Sequence, residues 1–166
     1  RRARRRGQQR IEELTEAGLA QLRSESYREA FQSFSEVLNL EPGNARAREF
    51  RDQASKLLEQ QVRPIYENGV RLYNAGEIQA AMAQLHRALE LYPAHADTRS
   101  FLSTAMEKVR AEAVDRYKRA YIYEGLDRSR EALELYRETL ALLPNPREEY
   151  HQKASDRIAE LNRKLQ

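Results

Sequence analysis

The sequence predicts an all-α repeat protein: three helical hairpins joined by long connecting helices and closed by a C-terminal capping helix. Apolar residues recur at helical spacing almost everywhere, and no segment alternates with period two. A block of sequence also returns in phase along the chain, which is typical of repeat architectures. The 166 residues are 40% hydrophobic and 33% charged, with only six glycines and five prolines. This composition predicts a folded, soluble helical chain rather than a disordered one.

The repeated block begins at residues 27, 78 and 129, where "YREAFQSFSEVLNLEP", "IQAAMAQLHRALELYP" and "SREALELYRETLALLP" align without gaps. Its period is 51 residues. The aligned positions hold a small residue, a bulky residue and a closing proline: Ala30, Ala81 and Ala132; Phe34, Leu85 and Tyr136; Pro42, Pro93 and Pro144. Antiparallel helices approach closely where one of them offers small side chains. The alanines are therefore predicted to lie at helix contacts.

The pattern predicts seven helices, at residues 8–24, 27–40, 44–75, 77–91, 95–125, 128–142 and 146–165. No Gly-Pro or serine-rich break interrupts the third and fifth, so each extra helix is expected to continue into the next hairpin, giving helices of about 31 residues and about 46 Å. Pro64 lacks an amide hydrogen, and it predicts a kink or break around residues 60–63. In the last helix, an apolar stripe predicts an end cap for the array: Tyr150, Ala154, Ile158, Leu161 and Leu165.

The domain organisation follows from these elements. Residues 1–7 are predicted to form a basic arm or linker, and residues 8–166 a helical repeat domain with units at about 11–61, 62–112 and 113–166. The sequence begins with Arg1 rather than methionine, so a segment upstream of it is expected.

The repeated positions resemble those of the tetratricopeptide repeats. The resemblance depends on Gly18 and Gly69, with Ala120 in the third copy, together with the alanine, bulky and proline positions above. It implies an α-solenoid of three hairpins. Tetratricopeptide units normally have about 34 residues, so the period here is enlarged by roughly one helix. The third hairpin departs most, because Arg116 and Arg119 replace Leu14 and Ala17 of the first copy and Ile65 and Asn68 of the second.

The resemblance implies a scaffold or adaptor that binds a protein or peptide partner in a groove lined by the first helices of the hairpins. The candidate binding residues on that face are Leu19, Leu22, Arg23, Arg63, Tyr66, Val70, Tyr73, Asn74, Tyr117 and Tyr121. Tyrosine combines apolar area with a hydroxyl group and is favoured at binding surfaces. Packing between neighbouring helices is the alternative role for these tyrosines. A bacterial secretion, pilus or motility assembly is the expected setting, by analogy with the usual employment of such repeats.

Catalytic and metal-binding patterns are sparse. The chain has no cysteine, which excludes disulfides, thiolate metal sites and cysteine nucleophiles. Glu148 and His151 have a metal-like spacing, but no second Glu-x-x-His accompanies them. No phosphate loop or hydrolase motif is present. We therefore expect no catalytic residues, no metal, no cofactor and no enzymatic activity.

The arginine run "RRARRR" supports an alternative function, a tether to nucleic acid or to an anionic membrane. Six arginines within residues 1–10 account for the basic net charge of +3, and the rest of the chain is slightly acidic, which disfavours nucleic acid. Membrane contact is expected only indirectly or through an upstream segment, because no apolar run is long enough to span a bilayer. A self-assembling homo-oligomer is a third alternative. The expected location is the bacterial cytoplasm, with the periplasm as an alternative.

Overall fold

The computed structural model describes residues 2–166. Within that range the chain forms seven helices and no strand, which confirms the all-α prediction. The helices are α1 (Arg2–Arg23), α2 (Tyr27–Leu40), α3 (Ala45–Asn74), α4 (Ile78–Leu91), α5 (Ala96–Gly125), α6 (Ser129–Leu142) and α7 (Glu149–Leu165). Arg1, the first residue of the predicted basic arm, lies outside the described residues.

The chain divides into two compact units, unit 1 (Arg1–Arg99) and unit 2 (Ser100–Gln166), with the boundary inside α5. In unit 1, α2 packs against α1 and α3, and α3 packs against α4. In unit 2, α6 packs against α7. The Thr139 hydroxyl on α6 also donates to the Ala113 carbonyl on α5 at 3.5 Å. Helices that are adjacent in the sequence therefore pack against each other in both units.

One type of turn joins the two helices of each hairpin: α1 to α2, α3 to α4, and α5 to α6. Its left-handed residue is Glu25, Gly76 or Asp127, with φ of 61°, 81° and 59°. In each turn the following amide bonds back to a carbonyl in the last turn of the first helix: Ser26 to Gln21 at 2.9 Å, Glu77 to Leu72 at 3.0 Å, and Arg128 to Tyr123 at 2.9 Å. This is the Schellman arrangement, which satisfies carbonyl groups at a helix end. The repeat seen in the sequence is thus also a repeat of backbone conformation.

The interior repeats in the same register. The fully buried positions shared by the three hairpins are Ala30, Ala81 and Ala132; Phe34, Leu85 and Tyr136; and Val37, Ala88 and Thr139. Glycines let the facing helices approach. A Cβ at Gly18 would lie 2.7 Å from Phe34 Cζ, and one at Gly69 would lie 2.9 Å from Leu85 Cγ. The three alanines are thus fully buried, and the close approaches between helices are those of Gly18 to Phe34 and of Gly69 to Leu85.

Three features of the helices differ from the prediction by more than one residue. α1 begins at Arg2 rather than at residue 8, because the arginines and glutamines of this segment are good helix formers. Of the kink or break predicted around residues 60–63, the break is absent, because α3 is continuous through Pro64. The packing of α3 on both α2 and α4 compensates for the hydrogen bond that the proline cannot donate. α7 begins at Glu149, because Asn145 and Pro146 form a turn in which the Asn145 side chain accepts from the Arg147 amide at 3.0 Å.

Candidate binding surface

The predicted binding residues fall into both units. Eight of them belong to unit 1, and Tyr117 and Tyr121 belong to unit 2. Arg23, Arg63, Asn74 and Tyr121 are exposed, whereas the other six are partly buried. Leu19 and Leu22 pack against the core around Phe34. These two leucines therefore stabilise the first hairpin as well as lying on the predicted face.

Tyr66 and Arg63 lie beside a polar cluster in unit 1. The Tyr66 ring meets the edge of the His95 ring, with centroids 5.7 Å apart. His95 Nε2 lies 2.8 Å from Glu59 Oε2, and Glu59 also pairs with Arg63. The pairing with Glu59 raises the pKa of the Arg63 guanidinium. A groove of about 240 Å³ opens here, lined by Glu59 and Tyr92 and by the loop that leads into α5.

His95 caps the amino end of α5. Its Nδ1 lies 3.3 Å from the Thr98 amide and 2.6 Å from the Thr98 hydroxyl, so Nδ1 is the acceptor and the ring proton belongs on Nε2, facing Glu59. The order of groups, hydroxyl, imidazole and carboxylate, is that of a catalytic triad. However, Thr98 is fully buried and His95 is only 3% exposed. The Thr98 hydroxyl is therefore closed to solvent.

We expect His95→Ala to destabilise the protein by roughly 2 kcal/mol, because the helix cap and the buried bond to Glu59 are lost together. His95→Asn is the matched control. Asn44 caps α3 at the corresponding position of the preceding repeat by accepting from the Ala47 amide at 2.9 Å. The asparagine variant should recover about 1 kcal/mol of the loss. Urea unfolding followed by circular dichroism measures both, and equal losses would contradict a capping role.

A larger groove of about 360 Å³ in unit 1 lies between the start of α2, the middle of α3 and the end of α4. Its lining includes Arg28 and Arg87 together with Glu29 and Glu90. None of the predicted binding residues lines this groove. Because charges of both signs line it, the groove favours no ligand of a single charge.

Tyr117 in unit 2 is a packed residue. Its ring lies 5.5 Å from the ring of Tyr136 and 5.3 Å from that of Tyr150, measured between centroids. Burial raises the pKa of the Tyr117 hydroxyl. Tyr117 therefore joins α5 to α6 and α7. Tyr121, one turn later, is 59% exposed, and the Arg157 guanidinium lies 5.9 Å from its ring centroid.

A partly buried carboxylate, that of Glu124, links the helices of the third hairpin to α7. The Tyr136 hydroxyl donates to Glu124 Oε2 at 2.9 Å, and Arg157 of α7 donates to both oxygens of Glu124, including Nε to Oε2 at 3.1 Å. Burial alone would raise the pKa of Glu124, but the hydrogen bonds from Arg157 and Tyr136 outweigh it and hold that pKa below its usual value. Both oxygens of the Glu124 carboxylate therefore accept hydrogen bonds from within the protein, and these bonds join α5, α6 and α7.

Large apolar side chains are exposed at the carboxyl end of α5. Ile122 is 58% exposed and Leu126, just after the helix, is 62% exposed. With Tyr121 they form half of the six large apolar residues that are strongly exposed among residues 2–166. The binding residues predicted from the sequence include Tyr121 but not Ile122 or Leu126. Comparing them with their counterparts one repeat earlier, Arg71 and Ala75, would have found them.

The last candidates from the sequence are the Glu148 and His151 pair and the arginine run. His151 Nδ1 lies 2.6 Å from the Leu143 carbonyl oxygen, and Glu148 pairs with Arg110 at 3.6 Å. In residues 2–166, no group of three or more histidine and acidic side chains is arranged to hold a metal. In the arginine run, Arg4, Arg5 and Arg6 are exposed on α1.

Comparisons with known proteins add no relative. No protein-family model and no curated protein matches the chain. Across residues 2–166, none of the helices combines the length and the apolar character needed to cross a membrane.

Proposed function

We propose that this protein is an interaction module, a scaffold or adaptor that binds another protein through exposed residues on the first helices of its hairpins and performs no reaction of its own. The observation that carries the proposal is the exposure of Tyr121, Ile122 and Leu126 within little more than one helical turn. Clustered apolar exposure beside charged residues is typical of protein contact sites.

We also propose that the three hairpins are tetratricopeptide-like repeats of an α-solenoid. The support is the shared 51-residue register of helix bounds, turns and buried positions. Such repeats present exposed faces that bind peptides and helices. The buried polar groups favour binding over catalysis, since the Thr98, His95 and Glu59 chain is closed to substrate and Glu124 is engaged by Arg157 and Tyr136.

The test is affinity capture from a bacterial lysate with the tagged full chain and with a Tyr121→Ala, Ile122→Ala double variant. Both replaced side chains are more than half exposed, so the melting temperature should not change. At least one protein captured by the wild type should be lost with the double variant. Leu40→Ala is the matched control, because Leu40 is 52% exposed elsewhere in the chain. Capture that is identical for all three proteins would overturn the proposal.

A further inference from the structure

The first helices of the three hairpins can be compared position by position, because their helix bounds and turns share one register. Four exposed positions of the third hairpin differ in chemistry from both earlier copies. Lys118 stands where Glu16 and Glu67 occur, Arg119 where Ala17 and Asn68 occur, Ile122 where Ala20 and Arg71 occur, and Leu126 where Ser24 and Ala75 occur. The third hairpin has thus replaced acidic, small and polar residues with cationic and large apolar ones.

The fold does not require these replacements. All four positions are exposed in the third hairpin, and in the first two copies only Asn68 among the counterparts is partly buried. The earlier hairpins form the same turn with a serine or an alanine at the position of Leu126. Exposed apolar side chains do not contribute the free energy of burial to folding. Ile122 and Leu126 are therefore better explained by a contact with another molecule than by packing within the hairpin.

The four side chains lie on one side of α5. Ile122 follows Lys118 and Arg119 by one helical turn, and Leu126 follows Ile122 by another. The Leu126 amide still bonds to the Ile122 carbonyl at 3.1 Å, so the helical spacing continues to that residue. Tyr121 lies next to Ile122 and extends the apolar area. We call Lys118, Arg119, Tyr121, Ile122 and Leu126 the α5 end patch.

The charges of the α5 end patch are available to a partner. Lys118 and Arg119 form no ion pair with any other side chain in residues 2–166. By contrast, Arg116 on the same helix pairs with Glu112 and Glu138, both at 2.7 Å. Two unpaired cations at one end of an apolar area complement carboxylates that lie next to apolar side chains.

We propose that the α5 end patch binds an acidic peptide segment whose large apolar side chains cover Ile122 and Leu126 while its carboxylates meet Lys118 and Arg119. This inference rests on the proposed function and adds the chemistry of the partner. A peptide fits better than nucleic acid, because the cationic area is confined to one turn and the exposed carboxylate of Asp115 lies one turn before it. A phosphate backbone needs a longer cationic track.

The probe is a fluorescein-labelled amphipathic peptide with leucines along one helical face and glutamates along the other. Two matched peptides replace the glutamates by lysines or the leucines by alanines. Fluorescence anisotropy with the full chain should show binding of the acidic, leucine-bearing peptide alone. That binding should weaken as salt is raised, since the exposed charges are screened.

Two variants separate the two halves of the patch by copying residues that the earlier hairpins already hold. Lys118→Glu with Arg119→Asn changes the charges, and Ile122→Ala with Leu126→Ala changes the apolar area without adding a charge. Each should weaken binding of the acidic peptide at least roughly tenfold, about 1.4 kcal/mol. The matched control is Met106→Ala with Lys108→Glu, which removes one exposed apolar residue and one exposed cation elsewhere on α5. It should bind as the wild type does. Circular dichroism and thermal unfolding verify that all variants fold.

The inference is overturned if the acidic peptide does not bind, if the lysine or alanine peptide binds equally well, or if either patch variant binds like the wild type. Binding to phosphatidylglycerol vesicles in place of the peptide would assign the patch to a membrane and also overturn it. So would a dimer, detected by light scattering, that both patch variants abolish. If the acidic peptide does not bind while capture from lysate still depends on Tyr121 and Ile122, only the proposal of an acidic partner is rejected. If capture is insensitive as well, the proposed function fails with it.

Discussion

Replacing Phe34 by alanine is expected to destabilise the protein by roughly 3–5 kcal/mol, the largest loss that we expect from a single change. The Phe34 ring is fully buried and stacks on Phe50 with centroids 5.4 Å apart. It also fills the space left by the missing side chain of Gly18. Alanine would therefore leave a cavity between α1, α2 and α3 that the backbone cannot close. Urea unfolding followed by circular dichroism gives the change in the free energy of unfolding.

The second hairpin supplies the control for this prediction. Leu85 occupies the position of Phe34 there and faces Gly69 in the same way. Phe34→Leu should accordingly cost less than about 1.5 kcal/mol, because most of the volume is kept. Leu40→Ala, at an exposed position of the same helix, should change stability by no more than about 0.5 kcal/mol. Similar losses for the alanine and leucine variants at residue 34 would mean that this site is not tightly packed.

Glu124→Gln is expected to cost about 2–3 kcal/mol at neutral pH. The substitution keeps the shape of the side chain but removes the charge that Arg157 and Tyr136 share. The Glu124 side chain is 10% exposed and that of Arg157 is 30% exposed, so the lost interaction is only partly screened by water. Tyr136→Phe removes one hydroxyl, leaves the Glu124 and Arg157 pair intact, and should cost about 0.5–1.5 kcal/mol.

The pH dependence of stability distinguishes loss of charge from loss of packing. The pKa of Glu124 is lowered in the folded protein, so the unfolded chain binds its proton more readily and the carboxylate stabilises the fold above its ordinary pKa of 4.5. That stabilisation is lost as the pH falls through the lowered value. The difference between wild type and Glu124→Gln should therefore be largest near about pH 7 and shrink toward about pH 3. A difference that stays constant with pH would show that Glu124 acts through packing alone.

Most of the helical architecture could be predicted from the sequence, because turns and prolines mark the helix ends at a fixed period. α2 was predicted with its observed bounds, and α3 to α6 within one residue at each end. Continuity through Pro64 could not be predicted, since it depends on the packing of α3 against two neighbours. The start of α1 differs from the prediction because the charge of the arginine run suggests an arm, whereas its residues also favour a helix.

The candidate surface was less predictable, because exposure is decided by residues distant in sequence. Tyr117 and Tyr121 have the same helical phase, yet Tyr117 is covered by Tyr150 of α7 and Tyr121 is exposed. Position along the first helix does not distinguish the two. Ile122 and Leu126 fit the apolar pattern of an ordinary helix. They are unusual only in comparison with the small or polar residues at the same positions of the earlier repeats.

The length of α3 restricts how this chain can change. One continuous helix of 30 residues serves two hairpins, with Ala54 in the core around Phe34 and Gly69 against Leu85. An α-helix turns by about 100° per residue. Inserting a single residue between those two contacts would therefore rotate Gly69 away from Leu85 of α4. Insertions of about seven residues, close to two whole turns, preserve the alignment. We therefore expect variation in chain length to accumulate in the turns, and α3 to lengthen or shorten only in near-integral turns.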